Sequence, residues 1–176
     1  MGRAILLAAL AIYAGWLLFA YEYHFLDGAN LLFHEAGHVF FGLAGRVIGV
    51  LGGSLGQLVF PVACAVHFLS RGRPFDAALC GLWMGENFLY IAVYIDDAYT
   101  MMLPLVGGDI HDWNWLLTRW GLLHDCQTIA RLVNLLGCGI ILGSWGAAAW
   151  VALRDLRAPP RIAGRQAGPS QLEASR

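Results

Sequence analysis

The sequence predicts an all-α protein, a polytopic membrane helix bundle with about four transmembrane helices plus a short, half-buried helix that carries a His-Glu-x-x-His motif. The composition and the length of the apolar runs support this fold class. Hydrophobic residues make up 59% of the 176 residues, charged residues make up only 13%, and the mean hydropathy is +0.60. A soluble domain of this length would need more charge on its surface. Four apolar runs also approach the ~20 residues that a spanning helix requires.

These apolar runs predict the spanning helices in order, at residues 4–21, 51–69, 74–95 and 129–153. The first run is longer than the ~7 to 15 apolar residues of a secretory signal, so we expect it to be retained as a helix. A shorter apolar segment, residues 31–44, contains the motif and ends in glycine-rich sequence. We expect this segment to enter the membrane without crossing it, because irregular backbone is tolerated there where it lines a water-filled site. The alternative is a fifth span, which would place the arginine-rich tail and Arg3 on opposite sides of the membrane.

The distribution of arginine predicts the topology. All 11 basic residues are arginine: Arg3 precedes the first run, Arg71 and Arg73 separate the second from the third, and several more follow the fourth. If these places are cytoplasmic, four spans with both termini inside obey the positive-inside rule. We therefore expect an integral protein of a bacterial-type inner membrane or plasma membrane. Residues 1–153 would form the membrane-embedded helical domain and residues 154–176 a disordered cytoplasmic tail.

Composition also limits the partners. The net charge is only -1, and the sequence has neither a basic cluster with a nucleic-acid signature nor a phosphate-binding loop. We expect the lipid bilayer as the main partner, a membrane-protein or peptide substrate, and no nucleic acid. Gly45, Gly49 and Gly53 recur at a four-residue spacing that lets helix backbones approach closely, which also offers a surface for a homo-oligomer.

The motif, His34-Glu35-Ala36-Gly37-His38, indicates a metal site. On a helix the two histidines share a face and can bind one Zn²⁺, while Glu35 can act as the general base on water. An alternative is that His34 and His38 are core histidines that bind no metal. Ionisable groups inside an apolar membrane segment are expensive and tend to mark functional sites, so we favour the metal.

A catalytic zinc site usually has three protein ligands, so a third must come from elsewhere in the chain. We prefer His111, because imidazole suits zinc, and we keep Asp97 and Asp112 as alternatives that could otherwise orient a ligand by hydrogen bonding. A further ionisable residue, Glu86, lies near the middle of the third run, and the sequence predicts Arg131 as its partner.

The motif resembles that of the intramembrane zinc metalloproteases of the site-two protease family. The likeness covers His34 to His38 and the following Gly42, and it implies His34 and His38 as zinc ligands and Glu35 as the base. That family takes its third ligand from a later motif that contains Asn-Pro and ends in Leu-Asp-Gly. No such motif is found here, so the resemblance leaves the third ligand open.

The function predicted from the sequence is a membrane-embedded zinc-dependent hydrolase, specifically a metallopeptidase, with Zn²⁺ as its cofactor. Other enzymes would keep the metal site and change the substrate to a lipid or another amide, or change the metal to iron or copper. The main alternative is a non-catalytic metal-binding or metal-handling membrane protein in which Glu35 is only a charge partner. A subunit without any metal is a third possibility.

Overall fold

The computed structural model describes residues 2–157, and this part of the chain consists of helices and their connections, with no strand. The prediction of an all-α fold is thereby confirmed. Four helical segments are long and apolar enough to cross a membrane, namely Gly2–Phe19, Arg46–Ser70, Pro74–Asp96 and Leu123–Arg157. The helices are α1 (Gly2–Phe19), α2 (Phe25–Gly42), α3 (Arg46–Ser70), α4 (Pro74–Asp96), α5 (Asp112–Trp120) and α6 (Cys126–Arg157), and the 3₁₀ turn is Leu123–Asp125.

The last helix is longer than the sequence indicates. It continues to Arg157, so the first residues of the predicted tail, 154–157, are helical. Arg154 and Arg157 lie in its last turn, where a positive charge interacts favourably with the helix dipole. The remainder of the predicted disordered tail, residues 158–176, lies outside the described residues.

The centre of the bundle is the contact between α4 and α6, to which α1 adds a third apolar surface. Gly85 of α4 faces α6 so closely that a Cβ there would lie 2.6 Å from Ile141 Cγ1 and 2.9 Å from Gly137 O. Leu89 and Ile141 are almost fully buried in this region, together with Leu17 of α1. Small residues thus let two apolar helices approach closely, as expected for membrane helix packing.

Three helix ends meet at one end of the bundle. Arg3 in α1 forms an ion pair with Asp155 near the end of α6, and its guanidinium lies 4.8 Å from the ring centroid of Phe75 at the start of α4. Two further arginines directly precede α4. We call this the arginine-rich end, and its arginines are Arg3, Arg71, Arg73, Arg154 and Arg157.

The motif helix α2 begins at Phe25, six residues before the predicted segment. The backbone N–H of His24 donates to Asp27 Oδ2 at 2.9 Å, which stabilises this polar first turn. Asp27 and Asn30 are both fully buried, because α2 starts beside the middle of α4 and inside the bundle. The apolar pattern missed this turn because its polar side chains are satisfied by the protein and not by water.

The predicted pairing of Glu86 with Arg131 is wrong. Glu86 instead accepts hydrogen bonds from Asn30. The Nδ2 atom of Asn30 lies 3.1 Å from Glu86 Oε1 and 3.0 Å from Glu86 Oε2. Arg131 is exposed. The start of α2 takes the position next to Glu86 that the sequence prediction gave to arginine.

The glycine-rich segment packs α2 against α3 in antiparallel fashion. The chain reverses just before Gly45, the only one of these glycines with a positive φ, at 102°. A Cβ on Gly37 would lie 2.9 Å from the carbonyl carbon of Gly52 and 3.0 Å from Gly56 Cα. The small residues therefore bring the motif helix directly onto α3, whereas the predicted self-association stays untested.

Candidate metal centre

His34 and His38 meet Asp112 at a single point. The Nε2 atom of His34 lies 2.9 Å from Asp112 Oδ2, and the Nε2 atom of His38 lies 3.1 Å from the same oxygen. His34 and Asp112 are buried, with 5% and 6% of their surface exposed. The first residue of α5 is thus brought to the face of α2 on which the two histidines lie.

The two ring nitrogens of His38 have different partners. Its Nδ1 atom lies 2.8 Å from Gly49 O, and a carbonyl oxygen only accepts hydrogen bonds, so Nδ1 carries the hydrogen. The Nε2 atom of His38 faces the Asp112 carboxylate, and the hydrogen bond between them raises the pKa of His38 to about 9. Without a metal ion the ring is thus protonated and Nε2 donates to Asp112, and a divalent metal ion would take the place of that hydrogen. A histidine oriented by a backbone carbonyl in this way is typical of metal ligands.

Asp112 is suited to be the anionic ligand. Burial acts to raise the pKa of its carboxyl group, but hydrogen bonds with His34 and His38 outweigh that effect and hold the pKa below its usual range. The group is therefore a carboxylate at neutral pH. Two imidazoles and one carboxylate form a ligand set that zinc accepts, with room for a fourth ligand.

The beginning of α5 determines which residue reaches the histidines. His111 caps the helix, because its Nδ1 accepts the backbone N–H of Asn114 at 3.2 Å. Asp112 follows as the first helical residue, and its own backbone N–H donates to the Tyr94 hydroxyl at 3.2 Å. The Asp112 side chain is thereby left to face α2.

Two side-chain hydrogen bonds attach α5 to the rest of the protein. Trp113 Nε1 donates to Ser54 Oγ on α3 at 3.1 Å, and Asn114 Nδ2 donates to Ala98 O at 2.8 Å. Leu116 and Leu117 on the same helix are almost fully buried. The position of Asp112 therefore depends on a short helix that is fixed on two sides.

His111, the preferred third ligand, does not join His34 and His38, and neither does Asp97. The Nδ1 atom of His111 is occupied by the helix cap, and its Nε2 atom lies 3.4 Å from Asp97 Oδ2. Burial lowers the pKa of His111, which favours the neutral ring despite the nearby carboxylate. Of the three predicted candidates, Asp112 is the one that the structure places with the histidines.

Glu35 lies beside this group in a cavity of about 610 Å³ that also reaches His34, His38 and Asp112. Its carboxylate lies against Gly107, which has a φ of 82° and whose Cβ, if present, would lie 2.9 Å from Glu35 Cδ. The rest of the wall combines four tyrosines, at positions 21, 23, 90 and 94, with a set of aliphatic residues. It includes Leu31, Val39, Val50, Val93, Leu103, Leu105, Val106 and Ile110.

Two glycines shape this centre. The glycine spacing predicted close packing behind the metal site or ordinary membrane-helix packing, but it did not predict contacts with the ligands themselves. A Cβ on Gly53 would lie 2.6 Å from His38 Nε2 and equally close to His34 Cε1, so this position must be a glycine for both rings to turn toward Asp112. Gly107 allows the loop before α5 to approach Glu35. The spacing of Gly45, Gly49 and Gly53 predicted close packing, but a glycine carries no functional group that marks it as part of a site.

No family model, curated protein or solved structure matches this chain. The likeness to the site-two protease family therefore stays a prediction from residues 34–42. The function is argued below from the geometry of the centre.

Proposed function

We propose that this chain is a membrane-embedded zinc-dependent hydrolase, specifically a metallopeptidase. His34, His38 and Asp112 would hold the zinc ion and Glu35 would be the general base. The observation that supports this most strongly is the meeting of two Nε2 atoms at one oxygen of Asp112, with the ring of His38 oriented by the bond from Nδ1 to the Gly49 carbonyl. The charges agree as well, because one Asp112 and one Glu35 carboxylate balance a divalent ion.

The chemistry follows from where Glu35 lies. His34, His38 and Asp112 would hold the zinc ion, which would supply Lewis acidity to polarise a substrate carbonyl and to make water easier to deprotonate. Glu35 takes a proton from the attacking water as the new C–O bond forms and gives it to the leaving nitrogen as the C–N bond breaks. Within residues 2–157 the Glu35 carboxylate forms no hydrogen bond or ion pair, so both of its oxygens are free to receive that proton.

The orientation in the membrane is part of the proposal. The arginine-rich end would face the cytoplasm, in agreement with the positive-inside rule. The metal centre lies toward the opposite end, since α4 begins at the arginine-rich end and reaches the centre through Tyr94, near its other terminus. Hydrolysis would therefore take place near the extracytoplasmic surface of the membrane.

The first experiment measures metal content. Protein purified in detergent should contain one zinc per chain, and both His38→Ala and Asp112→Ala should lose it. His67→Ala is the matched control, because this histidine lies in the last turn of α3, away from the centre, and should leave zinc unchanged. Wild-type protein that binds no zinc when zinc is supplied would refute the metal centre.

The second experiment tests catalysis. Wild-type protein is reconstituted in liposomes with a mixture of membrane-spanning peptides, and cleavage is followed by mass spectrometry. Glu35→Gln should retain zinc and abolish cleavage, whereas Glu22→Gln, another carboxyl group that lines the cavity, should retain both. Zinc-loaded wild-type protein that cleaves none of the peptides would support the non-catalytic metal-binding alternative and contradict the metallopeptidase.

A further inference from the structure

A second group of His, Asp and Glu lies inside the bundle, where α2 begins. The side chains of His24, Asp27 and Glu86 have ligand-type atoms within 4.8 Å of one another. Asp27 and Glu86 are fully buried, and Glu86 occupies the middle of the spanning helix α4. Within the described part of the chain no arginine pairs with either carboxyl group. A positive charge is needed here, because two bare carboxylates cannot both be buried at this distance.

Asp27 already has the partners of a carboxylate. Its Oδ1 accepts the Tyr21 hydroxyl at 2.7 Å, and its Oδ2 accepts the backbone N–H of His24 at 2.9 Å. The Nδ1 atom of His24 lies 2.7 Å from the same Oδ2 and 3.2 Å from Glu22 O. Both of these neighbours are acceptors, so Nδ1 carries a hydrogen. Two hydrogen bonds and the adjacent His24 ring therefore stabilise a negative charge on Asp27.

Glu86 is held from the other side. Trp83 Nε1 donates to Asn30 Oδ1 at 2.8 Å, which turns the Asn30 amide nitrogen toward both oxygens of Glu86. The carboxyl groups of Glu86 and Asp27 lie side by side, with oxygen atoms within 4.8 Å of each other. Two carboxyl groups form a hydrogen bond only if one of them carries a proton.

The same residue types thus form two different sites. At the metal centre the Nε2 atoms of His34 and His38 both face one oxygen of Asp112, and a metal ion can lie between the three atoms. Here the hydrogen of His24 Nδ1 is directed to Glu22 O beside Asp27, and the Nε2 atom lies 3.9 Å from Glu86 Oε1 and 2.8 Å from the Tyr13 hydroxyl, which can donate to it. The nitrogen nearest to Glu86 is thus occupied by Tyr13, so the missing positive charge is best supplied by a proton.

We propose that Asp27 and Glu86 form an intramembrane proton-binding site, which holds one proton between its two carboxyl groups and exchanges it with the cavity through the Tyr21 hydroxyl. Tyr21 both donates to Asp27 and lines the cavity that contains Glu35. In an exchange step the Tyr21 hydroxyl first turns its hydrogen from Asp27 toward water in the cavity. That hydrogen then moves to the water as the carboxyl proton moves to the Tyr21 oxygen, which leaves the carboxylate and a hydronium ion. The titratable groups that face the pair are Tyr13 on α1, Tyr21 in the following turn, His24 at the start of α2 and Tyr90 on α4.

Infrared spectroscopy of the full chain in nanodiscs at neutral pH tests this site. Wild-type protein should show the C=O stretching band of a protonated carboxylic acid, and this band should shift in D₂O. Both Glu86→Gln and Asp27→Asn should lose the band, whereas Asp76→Asn, a carboxyl group paired with Arg73 at the arginine-rich end, should retain it. Tyr21→Phe should retain the band but slow its shift after transfer to D₂O.

The outcome is independent of the proposed hydrolase. Asp112→Ala should lose zinc and keep the band, and Glu86→Gln should keep one zinc per chain. The proposal is overturned if wild-type protein lacks the band, or if it binds a second zinc that Glu86→Gln or Asp27→Asn removes. An unchanged rate of D₂O exchange in Tyr21→Phe would contradict the route to the cavity. If the Glu86→Gln variant does not fold, the presence or absence of the band in wild-type protein decides whether the site holds a proton.

Discussion

Replacing Gly53 with alanine should greatly weaken zinc binding while the protein stays folded. The new Cβ would lie 2.6 Å from His38 Nε2 and 2.6 Å from His34 Cε1. Ordinary contacts of a carbon atom are about 3.5 to 4.0 Å, so each imidazole would have to retreat by about 1 Å. Zn–N bonds of about 2.0 to 2.1 Å do not tolerate such a shift of two ligands together.

The magnitude follows from comparison with milder changes. Removing a group that only orients a metal ligand typically costs about 10- to 100-fold in affinity. Because Gly53→Ala displaces two ligands directly, we expect a loss of at least about 100-fold, equivalent to about 2.8 kcal/mol. Stability of the metal-free protein should not fall in parallel, because alanine is favoured over glycine inside a helix by about 1 kcal/mol.

The assay is a zinc competition with a chromophoric chelator in detergent, accompanied by thermal unfolding of the metal-free protein. Gly139→Ala in α6 is the matched control, because nothing lies within 4 Å of its Cβ position. If Gly53→Ala binds zinc as tightly as wild type and this control, the two imidazoles do not bind a metal ion in the arrangement described, and the proposed centre is refuted.

Two other predictions concern the segment between α4 and α5. Gly107→Ala should lower turnover and leave zinc content unchanged, because the new Cβ would displace Glu35. The φ of 82° at this position adds about 1 to 2 kcal/mol of strain to the alanine variant. Gly108→Ala is the control and should behave like wild type in both assays, because nothing lies within 4 Å of its Cβ position. Burial acts to raise the pKa of Asp97, but hydrogen bonds, including one from the Leu103 N–H at 2.9 Å, lower it below the usual 3.8. Its stabilising effect should therefore be complete above about pH 4 and disappear as the pH falls through the lowered pKa. Asp97→Asn should cost about 1 to 3 kcal/mol at neutral pH and flatten this acid dependence in chemical unfolding, and an unchanged pH profile would contradict the assignment.

The spanning helices were predictable because their signal is local. A run of about 20 apolar residues indicates a membrane helix whatever it packs against. The position of His34 and His38 on the same helix face was equally predictable, because it depends only on their four-residue spacing. The polar first turn of α2 was missed because Asp27 and Asn30 are satisfied by residues that a hydropathy pattern does not relate to them.

The third member of the candidate centre depended on a difference of one residue. His111 and Asp112 are adjacent, and successive helical side chains point about 100° apart, so the first helical residue determines which of them faces α2. That boundary is set by the bond from the Asn114 N–H to His111, which the sequence does not show. The partner of Glu86 was also hidden, because Asn30 is 56 residues away in the chain.

The helix α5 and the loop before it are held in place by different contacts. Trp113 and Asn114 fasten the start of this helix, whereas residues 101–110, which precede it, are exposed along their whole length. The start of that loop is instead held by Asp97, which accepts the backbone N–H groups of Met102 and Leu103. In the proposed hydrolase, a substitution between residues 104 and 110 would therefore change the wall beside Glu35 without moving Asp112.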